Sequence, residues 1–542
     1  MRKRGLVLLV LALGAGSALS LEACGSGSSG KGGGTLTGTY ASFPGYLDPT
    51  LSYEVEGWTA MYDTYLPLLT LAHASGPAGS EVVPALAESL PKISNGGKTY
   101  TLTLRKGLKY SDGTPVKASD FESSIERVFK LNSAGSSFFE GIVGAEEFAE
   151  KKSGGIPGIK TNDETGRIEI DLVAPRGTFI NELATLYAAV LPADTPIKNM
   201  TADPPPATGP YMITKSEPGR GWSYARNPYW AKANSQISEV PSGHVDKIEI
   251  KVIRNDSTQV NEIERDKADW MQTPISADLY NKVKDKYEGS QFRVENPINI
   301  YLFWLNTERP PFDDLKVREA VNYAVDTAAL ERIYAGSLAA AHQTLPEGMP
   351  GHEAFDLYPH DMTKAKQLIA EAKPSDMDVT VWTDNESPND EAGAYFEGVL
   401  DELGFNATLK TINADNYYTV IGNESTPDLD TGWLAFFEDY PHPNDFLQLL
   451  FAGESIAPTY NTNLSRLDDP EISAKIAKLN EQPLGPEQEA EYAELDKEIM
   501  EQAPTVPYGT NTVSTFVGSD VDLESVVFNP TFGQDLTSFQ FK

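Results

Sequence analysis

The stretch FFEDYPHPNDF, residues 436–446, concentrates what this chain offers for recognition chemistry. Phe436, Phe437, Glu438, Asp439 and Tyr440 set two carboxylates among three aromatic rings, and Pro441 and Pro443 stiffen the loop that carries them. Packing alone does not require acids and rings at this density, and loops are where binding residues concentrate. Catalytic signatures are missing by comparison. The sequence contains no GxSxG elbow, no HExxH, no phosphate-binding glycine loop and no paired cysteines for zinc. DNESPND at 384–390 begins like a calcium loop, but Pro388 fills its fifth position, Asn389 the sixth, where glycine is needed, and Tyr395 the twelfth. The six histidines are scattered, with no second ligand at a metal-binding spacing, so no metal and no cofactor is expected. The balance favours a binding protein over an enzyme, with a secreted hydrolase lacking a recognisable motif as the competing reading.

The other reactive group is Cys24, the single cysteine of 542 residues. A lone thiol forms no internal disulfide. Before it, Arg2, Lys3 and Arg4 are followed by an apolar run at 6–13 and then small residues, the layout of an export signal too short to span a bilayer. Leu21, Ala23 and Cys24 resemble the bacterial lipobox, whose cysteine is diacylated, although Glu22 stands where a small or apolar residue is usual. Residues 1–23 are therefore expected to be removed as a signal peptide. Residues 24–34 are expected to form a lipidated cysteine and a flexible Gly/Ser linker. Cleavage near Ser20, or an idle thiol, is the alternative.

The body that these segments would tether is acidic. Losing Arg2, Lys3, Arg4 and Glu22 on cleavage before Cys24 takes the formal charge from −34 to −36. Such a surface repels nucleic acid and anionic lipid, keeps the protein soluble, and favours neutral or cationic ligands over anionic ones. About 510 residues supply two or more cores. Polar and apolar residues alternate at 99–104, the period of a half-buried strand, and further strands are expected at 168–172, 247–253, 379–382 and 407–409. Ser119 with Glu122 three residues on reads as a capping box, ahead of a helix that puts Phe121, Ile125, Val128 and Phe129 on one face. Other helices are expected at 315–325, 364–372, 392–403 and 487–500. The alternation implies α/β sheets covered by helices.

Four stretches in order, 84–121, 207–230, 301–326 and 436–446, resemble the family 5 extracellular solute-binding proteins, the dipeptide and oligopeptide receptors of ABC importers. In the first three, turn chemistry and core packing account for the residues. TGPY turns into a strand at Tyr211, RNPYW sets a turn before an aromatic anchor, and Pro310 and Pro311 end an extended segment. The resemblance implies an α/β, two-lobed periplasmic-binding-protein-like fold with an extra subdomain in the first lobe. Lobe I would comprise 35–296, with the subdomain at about 54–206, lobe II would comprise 297–506, and 507–542 would return to lobe I. It implies that Asp439 meets the ligand's amino-terminal ammonium, with Phe436, Phe437, Tyr440 and Trp433 as aromatic neighbours. Peptide receptors usually carry tryptophan where Phe436 stands, and Trp433 lies three residues earlier. The implied partners are a peptide or other small solute, an ABC permease and, through Cys24, the outer face of the cell membrane; the protein would act as a monomer. Receptors for nickel chelates or glycosides, and receptors that sense peptides without importing them, share the pattern.

Overall fold

The segment NIYLFWL, Asn299–Leu305, is buried at every position, as a central strand covered on both faces must be. In the computed structural model, which describes residues 33–542, it pairs on one side with Thr431–Phe437 and on the other with Thr505–Asn511. The six-stranded sheet around it runs Leu338–Ala340, Thr505–Asn511, Asn299–Leu305, Thr431–Phe437, Asp378–Asp384, Asn406–Ile412. Helices Leu315–Ala324, Met362–Ala372 and Asn389–Leu403 contribute to its core, where Phe303 and Phe396 stack at 4.0 Å. These elements form lobe II. The signal segment, Cys24 and most of the linker lie outside the described residues.

Lobe I is built on a seven-stranded sheet ordered Phe292–Glu295, Val513–Val517, Trp270–Met271, Thr35–Tyr40, Lys247–Val252, Gly221–Arg226, Tyr211–Glu217. Thr35–Tyr40 and Lys247–Val252 pair in parallel over six residues. Between them the chain inserts a subdomain with a four-stranded antiparallel sheet, Lys92–Ser94, Thr99–Thr103, Arg167–Asp171, Ile159–Asn162, and the helix Ala118–Lys130. Phe121, Ile125, Val128 and Phe129 are buried on that helix, as their spacing implies. The expected capping box is displaced. Asp120, not Glu122, accepts from the N–H of Lys117, while the Ser119 hydroxyl and N–H are both held by Asp163, a loop acid 44 residues on.

The chain passes between lobes at residues 296–298 and again at Thr512, since Thr505–Asn511 belongs to the lobe II sheet and Val513–Val517 to that of lobe I. The return therefore falls at Thr512 and not near Pro507, because Thr505–Asn511, buried over its first five residues, completes the lobe II sheet first. Asn299 and Asn511 join the two passages: Asn299 Nδ2 donates to the Asn511 carbonyl at 2.9 Å, and the Asn511 N–H donates back to Asn299 Oδ1 at 2.8 Å.

Two buried polar groups organise lobe I. Arg127 grips Asp48 through two bonds of 2.8 and 2.7 Å and also reaches the carbonyl of Lys198. His73 Nδ1 lies 2.7 Å from Asp535 Oδ2 and 3.6 Å from Asp63 Oδ1, tying the C-terminal segment to the first helical turns. Burial and the neighbouring charge push the Asp63 carboxyl up; at Asp535 the upward push of burial is outweighed by His73 and the Thr537 hydrogen bonds. Histidine spacing could not have shown this cluster, because its members lie up to 472 residues apart in the chain.

Candidate functional site

A cavity of 750 Å³ opens between the lobes. Lobe II supplies its aromatic wall from the end of the strand Thr431–Phe437. Phe437 is opposite Asn299 and Ala435 opposite Tyr301, which places Tyr301 diagonally between Trp433 and Phe437 on one face of the sheet. Phe437 meets Tyr301 edge-on at 6.3 Å, and Phe436, on the other face, meets Phe446 at 4.9 Å.

The expected loop is thus partly regular structure. Phe436 and Phe437 end a strand, and Pro443 is the first residue of the helix Pro443–Phe451. Only 438–442 connect them. His442 caps the helix, its Nδ1 accepting from the Asn444 N–H at 3.1 Å, and burial drives its pKa down to about 3, so it stays neutral. The Asp439 N–H donates to Asp445 Oδ2 at 2.8 Å. That bond turns the backbone so that the Asp439 side chain faces the cavity.

Lobe I answers from two directions. Trp58 Nε1 donates to the Ser52 carbonyl at 2.9 Å, folding the turn before the helix Val55–Met61 so that Tyr53 projects toward lobe II. Its hydroxyl donates to Asp439 Oδ2 at 3.3 Å. Near the C-terminus, Asn529 Oδ1 accepts from the N–H groups of Thr531 and Phe532, a turn that aims the Thr531 hydroxyl at Glu438 Oε1, 2.5 Å away. The second oxygen of Glu438 is buried without a hydrogen-bond partner. Behind the cavity, Gly177 N–H donates to the Asn480 carbonyl at 2.5 Å, and Thr178 N–H to Asn480 Oδ1 at 3.1 Å.

The electrostatics are one-sided. Four carboxylates line the cavity, Glu54 and Glu56 from lobe I and Glu438 and Asp439 from lobe II, and among the described lining residues no lysine, arginine or histidine faces them. Tyr53 is exposed and Asp439 half-buried, and both line the cavity. Burial raises Asp439 to about 6, against a lowering by the Tyr53 hydrogen bond. Burial raises Glu438 to about 8, with Thr531 lowering it and the charge of Asp439 adding to the rise. Two acids whose charge is this costly without a cation suit a positively charged guest.

Of the residues singled out by sequence, Asp439, Phe436 and Phe437 line the cavity, whereas Trp433 and Tyr440 do not. Trp433 is 4% exposed, stacked on Tyr417 at 5.4 Å and on Tyr301 at 6.1 Å, so it backs the wall through Tyr301. Tyr440 is buried against Phe138 of the subdomain, on the far side of the loop. Tyr53, Glu56, Tyr301, Tyr418 and Thr531 were missed. SYEVEGW at 52–58 also mixes acids and rings, four in seven residues, and was the available signal.

The sequence profile of the bacterial extracellular solute-binding proteins, family 5 Middle, matches residues 81–457. This chain belongs to that family. Heme-binding protein A of Haemophilus influenzae is 27% identical over 460 residues, covering 79% of each chain. Oligopeptide-binding protein OppA of Bacillus subtilis is 24% identical over 445 residues, covering 77% of this family 5 chain and 78% of that relative. Among solved structures, clavulanic acid biosynthesis oligopeptide binding protein 2 shares the fold at a TM-score of 0.86 and 24% identity, covering 95% of this chain and 96% of its own. The two lobes are consistent with the fold of family 5. Among the described residues, no helix is long and apolar enough to cross a membrane.

Proposed function

We propose that this family 5 protein is the extracytoplasmic receptor of an ABC importer, capturing peptides by their free amino terminus and delivering them to a membrane permease. One observation carries the reading: Asp439 is open to an aromatic cavity between the lobes, its carboxylate bonded by a neutral phenol, with no cation among the described lining residues to neutralise it. A peptide ammonium would complete it, while the walls accept varied side chains. Because Asp439 and its partner Tyr53 belong to different lobes, a ligand between them favours the closed form, which a permease can distinguish from the open one.

Relatives named for heme and for glutathione binding widen the choice of solute. Heme carries two carboxylates and glutathione is net negative; four acids and no lining cation oppose both. Cys24, diacylated and left as the first residue once 1–23 are removed, would hold the receptor at the outer face of the cell membrane, two acyl chains being enough for stable anchoring where one is not. The protein would act as a monomer and carry out no catalysis. Cys24→Ala should release it into the medium with ligand binding intact.

Native mass spectrometry of a soluble form beginning at Gly25, purified without denaturation, tests the reading. A bound peptide population, lost on Asp439→Ala, is expected. A single non-peptide mass would overturn the peptide assignment.

A further inference from the structure

The Asp439 contact leaves most of the cavity's negative charge unused. Glu54 spends Oε2 on the Gly45 N–H at 2.9 Å, and Glu438 is held by Thr531. Glu56 is different. It lines the cavity from the first turn of the helix Val55–Met61, where its carboxylate accepts from its own backbone N–H and, among the described residues, no side chain donates to it. Its helix position explains an acid in that turn, which the dipole favours. It does not explain turning that acid toward a cavity that Glu54 and Asp439 already make negative.

Resting on the peptide reading above, we infer that the cavity selects peptides with a second positive charge, a lysine or arginine side chain near the amino terminus, and that Glu56 is the carboxylate that meets it. Glu56 follows Tyr53 by three residues, and Tyr53 reaches Asp439, so the ammonium and the basic side chain of one peptide end bind neighbouring elements. The walls suit such a side chain along its length. Trp58, Tyr301, Tyr418 and Tyr460 line the cavity, and aromatic rings of this kind can pack against an alkyl stem and attract a cation. Burial pushes the Glu56 carboxyl up, aided by the charge of Glu54, and an incoming cation returns it to the ionised form. An independent feature points the same way: Glu438, only 7% exposed and lining the same cavity, keeps Oε2 without a hydrogen-bond partner, so the acidic side of the site is left incompletely bonded after every protein contact is made. An acidic side chain in that position meets only like charge, and a nearby free carboxyl terminus finds no partner.

The test is calorimetry with matched tetrapeptides, Lys-Ala-Ala-Ala and Ala-Lys-Ala-Ala, against the same peptides carrying norleucine or glutamate in place of lysine. The better lysine peptide should bind at least about tenfold tighter than its norleucine counterpart, and the glutamate peptide weaker than either, as expected for a charge-assisted contact. In Glu56→Gln, the lysine and norleucine peptides should fall within about twofold of each other, while Glu56→Asp, which keeps the charge, should retain most of the preference. Norleucine peptides binding the wild type as tightly as lysine peptides would overturn this inference while leaving the peptide reading in place. Glu56→Gln retaining the preference would overturn the role of Glu56. Failure of every tetrapeptide to bind would overturn the inference together with the peptide reading.

Discussion

The Tyr53 hydroxyl donates to Asp439 Oδ2 across the cleft at 3.3 Å, a bond between residues 386 positions apart that exists only when the lobes are together. It gives a half-buried acid on the cavity a neutral partner, and a partner that a peptide ammonium can join without displacing. Tyr53→Phe should weaken peptide binding by about three- to tenfold, the worth of one net hydrogen bond to a charged group. Titration calorimetry gives the affinity, and small-angle scattering should show a more open ligand-free protein. Unchanged affinity would mean that the bond plays no part in the bound state.

Closure also depends on the back of the cleft. A Cβ on Gly177 would lie 1.9 Å from the Gln482 carbonyl oxygen and 3.3 Å from that of Asn480, both in lobe II. Gly177→Ala should therefore hold the lobes apart without touching the cavity lining. Affinity should fall at least about tenfold, since the closed form becomes scarce and its fraction scales the apparent affinity. Scattering with saturating peptide should report a larger radius of gyration than the wild type.

Acidity controls the site in two opposed ways. Asp439 is raised to about 6, so peptide affinity should fall as pH drops through 6 and the carboxylate protonates, by up to about tenfold per pH unit. Asp439→Asn should flatten that limb. Folding responds with the opposite sign. A carboxyl raised in the folded state holds a proton that the unfolded chain releases, so the folded form is favoured at low pH and loses that advantage as pH rises through the folded values of about 6 for Asp439 and about 8 for Glu438. The ligand-free protein should melt at a higher temperature at pH 6 than at pH 8, and Glu438→Gln should narrow the difference.

Stability of lobe I rests on an ion pair far from the ligand. Asp48 and Arg127 are 0% and 1% exposed and fully engaged, so Asp48→Ala strands a buried guanidinium and should cost about 3–5 kcal/mol in chemical denaturation. A loss within a few tenths of a kcal/mol would show that Arg127 finds water when its partner is removed.

Local order was legible in the sequence. Strands at Thr99–Thr103 and Lys247–Val252 and helices at Leu315–Ala324 and Asn389–Leu403 follow from side-chain period, and acid density drew attention to Asp439. Orientation was harder to read. Trp433 and Phe437 share a sheet face with Tyr301, yet Trp433 stacks between two tyrosines while Phe437 reaches the cavity, because position along the strand and not residue type decides which ring meets solvent. Ser119 was read as a cap because Asp163, its partner, comes 44 residues later. Pairings such as Tyr53 with Asp439, or Thr531 with Glu438, depend on how two lobes meet, and no local pattern encodes that.

The central claim is that Asp439 receives a peptide ammonium. Titration calorimetry of one tetrapeptide with its amino terminus free and then acetylated, against wild type and Asp439→Asn, tests it most directly. The account predicts that acetylation weakens wild-type binding by at least about tenfold, as loss of a charge-assisted bond in a closed site should, and that Asp439→Asn binds the two forms nearly alike. Equal wild-type affinity for the free and acetylated peptides would contradict it.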